Sequence, residues 1–243
     1  MAKIPVVFPS TPEEKKKAQE LYDAGFAASG ADTIPDLRVC LRPPIPEIAI
    51  AAGLLNDAVT AHIDGRFSEA ESLIEQANMP AIREWSNSLV GKNCEYNKPR
   101  FPLGTPPRVP TAQRDALRMP SSEWVRILHV RYGYHCCFCG TPIFREQVRT
   151  RLVSLYPNAI PRSQKEAVRH TAIYVMKAQY DHLVPYSRGG RNNLENLVVT
   201  CVPCNFGRNN FTLEEMGLFD PRTRQRVECI VPDWDGLERL LSN

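Results

Sequence analysis

The sequence predicts an α+β protein in two parts. A helical N-terminal domain spans residues 1–98, and a turn-rich C-terminal domain over 121–243 is stapled by a four-cysteine zinc site. Three observations carry this. Helix-start and helix-stop residues punctuate apolar runs in the first half, prolines crowd residues 99–120, and two C-x-x-C pairs bracket a segment of the second half.

Ser10-Thr11-Pro12-Glu13 reads as a helix start, with Ser10 as cap and Glu13 reaching back, and that helix runs to Ser29 before Gly30. A second helix follows Pro46 through Ile48, Leu54, Leu55, Val59 and Ile63, closed by Gly65. Ser68-Glu69-Ala70-Glu71 opens a third, limited by Pro80. Ala51 to Asn78, with Ala51, Ala58, Gly65, Ala70 and Ala77, resembles one tetratricopeptide unit. No second copy follows, so a generic helical hairpin is the preferred reading. Pro99, Pro102, Pro106, Pro107, Pro110 and Pro120 forbid continuous helix and mark a stiff linker over 99–120, free to pack against either domain. Ser122 then caps a helix through Trp124, Val125, Ile127, Leu128 and Val130 that Gly133 ends. Turn signals follow at Gly140-Thr141-Pro142, Ser187-Arg188-Gly189-Gly190 and Asn192-Asn193. A last helix begins near Thr212, with Glu214 and Glu215 where they suit its dipole.

The net charge of +3 hides an asymmetry: residues 1–99 carry 10 basic against 14 acidic side chains, and the remainder 20 against 13. Of those 20 basic residues 18 are Arg, whose fork grips phosphate in bidentate fashion. The balance suits a nucleic-acid partner, and equally an ordinary solvated basic surface. The most apolar stretch, Ile45 to Val59, is broken by Glu47, Gly53, Asn56 and Asp57, so no membrane segment is predicted. Met1-Ala2-Lys3-Ile4-Pro5 lacks a signal-peptide core, and a cytoplasmic protein is the default expectation.

Cys136-Cys137-Phe138-Cys139 and Cys201-Val202-Pro203-Cys204 each hold cysteines two residues apart, the spacing that lets both sulfurs reach one tetrahedral zinc. Cys136, Cys139, Cys201 and Cys204 are therefore expected to bind one structural Zn²⁺ per chain. The bland alternative is four buried cysteines acting as small hydrophobes. A redox role lacks the strand–helix context that such motifs need. Cys137 is the odd neighbour, and Cys40, Cys94 and Cys229 have no readable pairing.

Between and after the pairs lie Asp181-His182, Pro185, Ser187-Arg188-Gly189-Gly190, Asn196-Leu197 and Cys201-x-x-Cys204-Asn205. In this order they resemble the HNH endonucleases, over roughly Arg126 to Pro221. That resemblance implies a ββα-metal domain, a two-stranded ribbon followed by a helix, and hydrolysis of DNA phosphodiester bonds. Such hydrolysis needs a deprotonated water and charge neutralisation at the phosphate. The resemblance makes His182 the general base. Asp181 and Asn205 become ligands of a catalytic Mg²⁺ or Mn²⁺, with Asn209 as a further one, and Asn196 braces the loop. Arg188, Arg191 and Arg208 fall where phosphate contacts are expected. The substrate implied is double-stranded DNA read with little sequence dependence, nicked by a monomer. The rival reading is a zinc-dependent nucleic-acid-binding module without catalysis. The chain between Cys139 and Asp181 is longer than compact members use. The extra segment, about 148–176, contains Arg149, Arg151, Arg162, Lys165, Arg169 and His170 and suits DNA contact, a lid or a surface excursion. The helical half is read as a surface for protein partners, and an HNH segment beside such a helical domain resembles the nuclease components of anti-phage systems such as Zorya or Septu. Its negative charge also suggests that it covers the basic half and restrains cutting.

Overall fold

The helical hairpin predicted after Pro46 is present. The computed structural model describes residues 37–90, 94–99, 104–163, 165 and 167–242; the helix predicted over 10–29 lies outside them. Helix α1 (Pro46–Ile63) and α2 (Phe67–Gln76) pack against each other across Gly65, whose φ of +78° is a left-handed value that a side chain would strain. Ile48, Ala52, Leu55 and Val59 recur at three- and four-residue spacing on α1 and are fully buried. Pro80 stops α2, as predicted, but it also starts α3 (Pro80–Leu89), a helix the sequence reading did not foresee. Its fixed φ suits the first helical turn, where no N–H is needed.

Helix α4 (Ser122–Tyr132) is capped by Ser121, not Ser122: the Ser121 hydroxyl accepts from the Trp124 amide at 3.2 Å. The long segment before the ribbon contains α5 (Glu146–Leu155) and α6 (Thr171–Val175). Strands β1 (Gln179–His182) and β2 (Leu197–Thr200) then pair antiparallel, with Asp181 opposite Val198 and His182 opposite Leu197. Helix α7 (Val202–Arg208) follows directly, completing the two-strand-and-helix arrangement that the motif implies. The short α8 (Leu213–Met216) is fixed by a reciprocal cap: Glu215 N donates to Thr212 Oγ1 at 3.2 Å, and Thr212 N to Glu215 Oε2 at 2.7 Å.

One buried apolar cluster runs through both halves of the chain. Helix α3 lies on α6 and α7, with Trp85 and Leu89 buried. At Gly207 an added Cβ would sit 2.8 Å from Leu41 Cδ1 and 2.9 Å from the Leu89 carbonyl oxygen, so only glycine lets α7 approach this closely. Hydrogen bonds cross the same seam, from Arg38 N to Gly217 O (2.8 Å), from His170 Nε2 to Ile74 O (2.8 Å) and from Thr171 N to Asn78 Oδ1 (2.8 Å). Apolar burial and directed hydrogen bonds join the helical half to the rest, where the charge asymmetry alone suggested a loose electrostatic cover. No helix among the described residues is long and apolar enough to cross a membrane.

Residues 104–119 of the proline-rich segment form a strap across the loop between the strands. Val109 N donates to Ser187 O at 2.8 Å, and Asn192 N to Asp115 Oδ2 at 2.7 Å. The Tyr186 hydroxyl donates to the Asp115 carbonyl.

Candidate active site

The first cysteine pair sits on a tight knuckle, closed by Gly140 N to Cys136 O (2.9 Å) and tied to β2 by Cys137 N to Val199 O (3.0 Å). The second lies where β2 turns into α7. Together they place the sulfurs of Cys136, Cys139, Cys201 and Cys204 within 4.8 Å of one another, all buried. Zn–S bonds of about 2.3 Å in a tetrahedron require sulfurs about 3.8 Å apart, and Cys139 and Cys201 are 3.8 Å apart. The four side chains can hold one metal ion, and the donor set suits zinc. Burial pushes the Cys136 thiol up, but hydrogen bonds from Cys139, Cys201 and Cys204 prevail and hold it well below the ordinary thiol range. Cys137 is buried beside them, and its thiol is pushed well up, first by burial and then by Cys136.

Strand alternation sends Asp181 and His182 to different surroundings. Asp181 points towards α7, where the Arg208 guanidinium grips both carboxylate oxygens, with Nε at 2.9 Å from Oδ2. Burial pushes the Asp181 carboxyl up, and Arg208 pulls against it. Arg208 is itself only 1% exposed and also donates to the carbonyls of His182, Leu183 (3.3 Å) and Phe211 (2.6 Å). Arg188 is likewise buried, donating to Glu215 Oε1 (2.9 Å), Asn210 O (2.9 Å) and Pro106 O (2.7 Å). Two of the three arginines expected at phosphate are thus interior braces. Arg191 is exposed.

Asn196 lies where a loop brace is needed. Its Oδ1 accepts from Val184 N at 2.8 Å, and its Nδ2 donates to Val184 O (3.1 Å) and Arg191 O (2.9 Å). Gly189 adopts a left-handed φ of +77°, and a Cβ on Gly190 would collide with the Val184 carbonyl. The Ser-Arg-Gly-Gly turn therefore admits no side chain at its last position without opening the loop. Asn205 is half-buried on α7, its Nδ2 donating to Gln179 Oε1 at 3.3 Å. Asn209 follows α7 with φ +54° and is exposed. Arg208 donates one hydrogen bond to each oxygen of Asp181, so a cation shared with Asn205 would use the lone pairs that remain.

His182 faces the other way, 5.7 Å from the Tyr186 ring and beneath the strap. It is 6% exposed, and its Nε2 is buried with no hydrogen-bond partner among the described residues. Burial, then Arg118 and Arg208, push its pKa down to about 4, so the ring is neutral near pH 7. Asn192, Tyr186, Asp115 and Arg118 surround the imidazole, and sequence reasoning missed these roles. Asp115 and Arg118 belong to the strap, whose only sequence signal was proline content.

The order of ribbon, loop and helix, with the second cysteine pair at their junction, is the part of the chain that a family model matches. Residues 172–217 match the family model for HNH endonuclease. This HNH segment contains β1, β2, α7 and α8, together with Cys201 and Cys204, and it supports a nuclease-type function. Cys136 and Cys139 lie upstream of it, so the cysteine cluster ties the HNH segment to the preceding chain. Among curated proteins and among solved structures, nothing matches the chain.

Proposed function

We propose that the chain is an endonuclease that hydrolyses DNA phosphodiester bonds, nicking one strand per visit, with His182 as general base and zinc held by the four cysteines. The observation that carries this is the His182 imidazole in the HNH segment, neutral near pH 7 and with an unpartnered Nε2. A neutral ring nitrogen can take a proton from water as that water attacks phosphorus. The P–O bond to the leaving oxygen then breaks, and that oxygen gains a proton from solvent. Arg118, close enough to depress the His182 pKa, and exposed Arg191 are the cations best placed for the phosphate. Arg188 and Arg208 act as positioning residues, holding the loop and the His182 backbone. Dependence on Mg²⁺ or Mn²⁺ rests on the family resemblance alone.

Purified protein incubated with supercoiled plasmid and Mg²⁺, Mn²⁺ or EDTA tests the reading. Relaxed circles are expected with a divalent cation and not with EDTA. His182→Ala is expected to abolish them while retaining zinc and fold. Binding without cleavage by the wild type would favour a non-catalytic nucleic-acid module, and wild-type cleavage by His182→Ala would remove the base from the mechanism.

A further inference from the structure

The segment between the cysteine knuckle and the ribbon builds a cleft of about 530 Å³ between α5, α6 and α7, a size that holds a ligand as large as a nucleotide. Its floor is apolar: Val153, Ile160, Ile173 and Val202 are buried there. Its cations are Arg149, Arg162, Arg169 and Lys177, and no carboxylate lines it. Glu146 at the start of α5 bridges Arg149 (3.1 Å) and Lys177 (2.8 Å), but this bridge is solvent-exposed and yields readily to a stronger anion. Among the described residues Arg162 makes no ion pair. Two aromatic rings line the cleft. Phe206 on α7 is 47% exposed, and Tyr174 carries the Arg169 guanidinium 3.3 Å from its ring centre.

We propose that this cleft is a subsite for single-stranded nucleic acid: it takes an unpaired base against Phe206 and the apolar floor, with the flanking phosphates on Arg162, Arg169 and Lys177. A duplex keeps its bases stacked and offers only backbone to such a cleft, whereas an unpaired nucleotide offers a π-face and a phosphate together. Gln179, the first residue of β1, lines the cleft and lies about 10 Å along the strand from His182. The inference rests on the nuclease reading and narrows its substrate to DNA with single-stranded character, such as a flap, gap or bubble.

The test is fluorescence anisotropy in buffer without added Mg²⁺ or Mn²⁺, using the zinc-loaded full chain with a labelled oligothymidylate and with a duplex of equal length. The single strand is expected to bind more tightly than the duplex. Phe206→Ala is expected to weaken strand binding about tenfold, in line with the stacking contribution of one base. Arg162→Glu, at an exposed position that cannot disturb packing, is expected to weaken it and to lower the slope of log affinity against log salt by at least one. Equal affinity for the two forms overturns the proposal, as does strand binding indifferent to Arg162→Glu. Because binding without Mg²⁺ or Mn²⁺ is read apart from cleavage, the two readings fail separately. Plasmid relaxation with no strand preference removes the cleft alone, and strand binding as described without plasmid relaxation removes the nuclease alone.

Discussion

Replacing Arg208 with methionine removes a buried cation of similar length and leaves its partners behind. Asp181 loses both of its contacts to the guanidinium, and the carbonyls of His182, Leu183 and Phe211 lose a donor. Breaking a buried ion pair from one side costs about 3–5 kcal/mol, because the remaining charge stays desolvated. A domain of this kind has a total stability of only about 5–15 kcal/mol. Urea unfolding of the zinc-loaded protein at pH 7 measures the loss as a fall in midpoint at unchanged slope. Adding Asp181→Leu to Arg208→Met removes the orphaned carboxylate, so the double variant is expected to be more stable than Arg208→Met alone. If Arg208 instead served as a surface phosphate ligand, Arg208→Met would unfold within about 0.5 kcal/mol of wild type and lose only DNA affinity. That result would refute the brace.

Two other expectations follow from the same geometry. Metal analysis should find close to one zinc per chain, lost with the C-terminal fold in Cys201→Ser and retained in Cys137→Ala, whose thiol lies outside the set of four. Acid should destabilise the protein through its histidines. All five have pKa values below the ordinary one, burial being the first cause in each. The unfolded chain takes up a proton on His182 below about pH 6.5, and the fold refuses it until about pH 4. The stabilisation is therefore complete above pH 6.5 and is lost as pH falls towards 4, amounting to about 3 kcal/mol for His182. His182→Gln should lose correspondingly less between pH 7 and pH 4.5 in urea unfolding. An equal acid loss in both proteins would show that the ring is not held neutral.

Local signals read well wherever one residue fixes one backbone feature. Pro46 opens a helix, Gly65 takes a left-handed turn, and Thr212 with Glu215 makes the reciprocal cap that their spacing allows. The four-cysteine cluster was legible because C-x-x-C spacing is itself a geometric constraint, and Asn196, singled out by the motif, makes three hydrogen bonds within the loop. The failures are long-range. Nothing local distinguishes Arg188 and Arg208, which are buried on Glu215 and Asp181, from the other arginines of a basic half. Pro80 was read as a stop because its missing N–H and its ring clash bar a helix from running through it, whereas its fixed φ suits the first turn of the next. The strap escaped because its partners, Ser187, Arg188 and Asn192, lie more than seventy residues further along the chain.

The contact at Gly207 bears on how this candidate site can be transplanted. Cutting the chain in the proline-rich segment looks like the natural way to lift the HNH segment onto another scaffold. Such a graft would strip Leu41 and Leu89 from the helix that carries Asn205 and Arg208, and would leave a glycine facing water where a neighbouring backbone had been. A portable unit must therefore keep Leu41 and Leu89 together with α7. A library that diversifies position 207 should return glycine almost without exception.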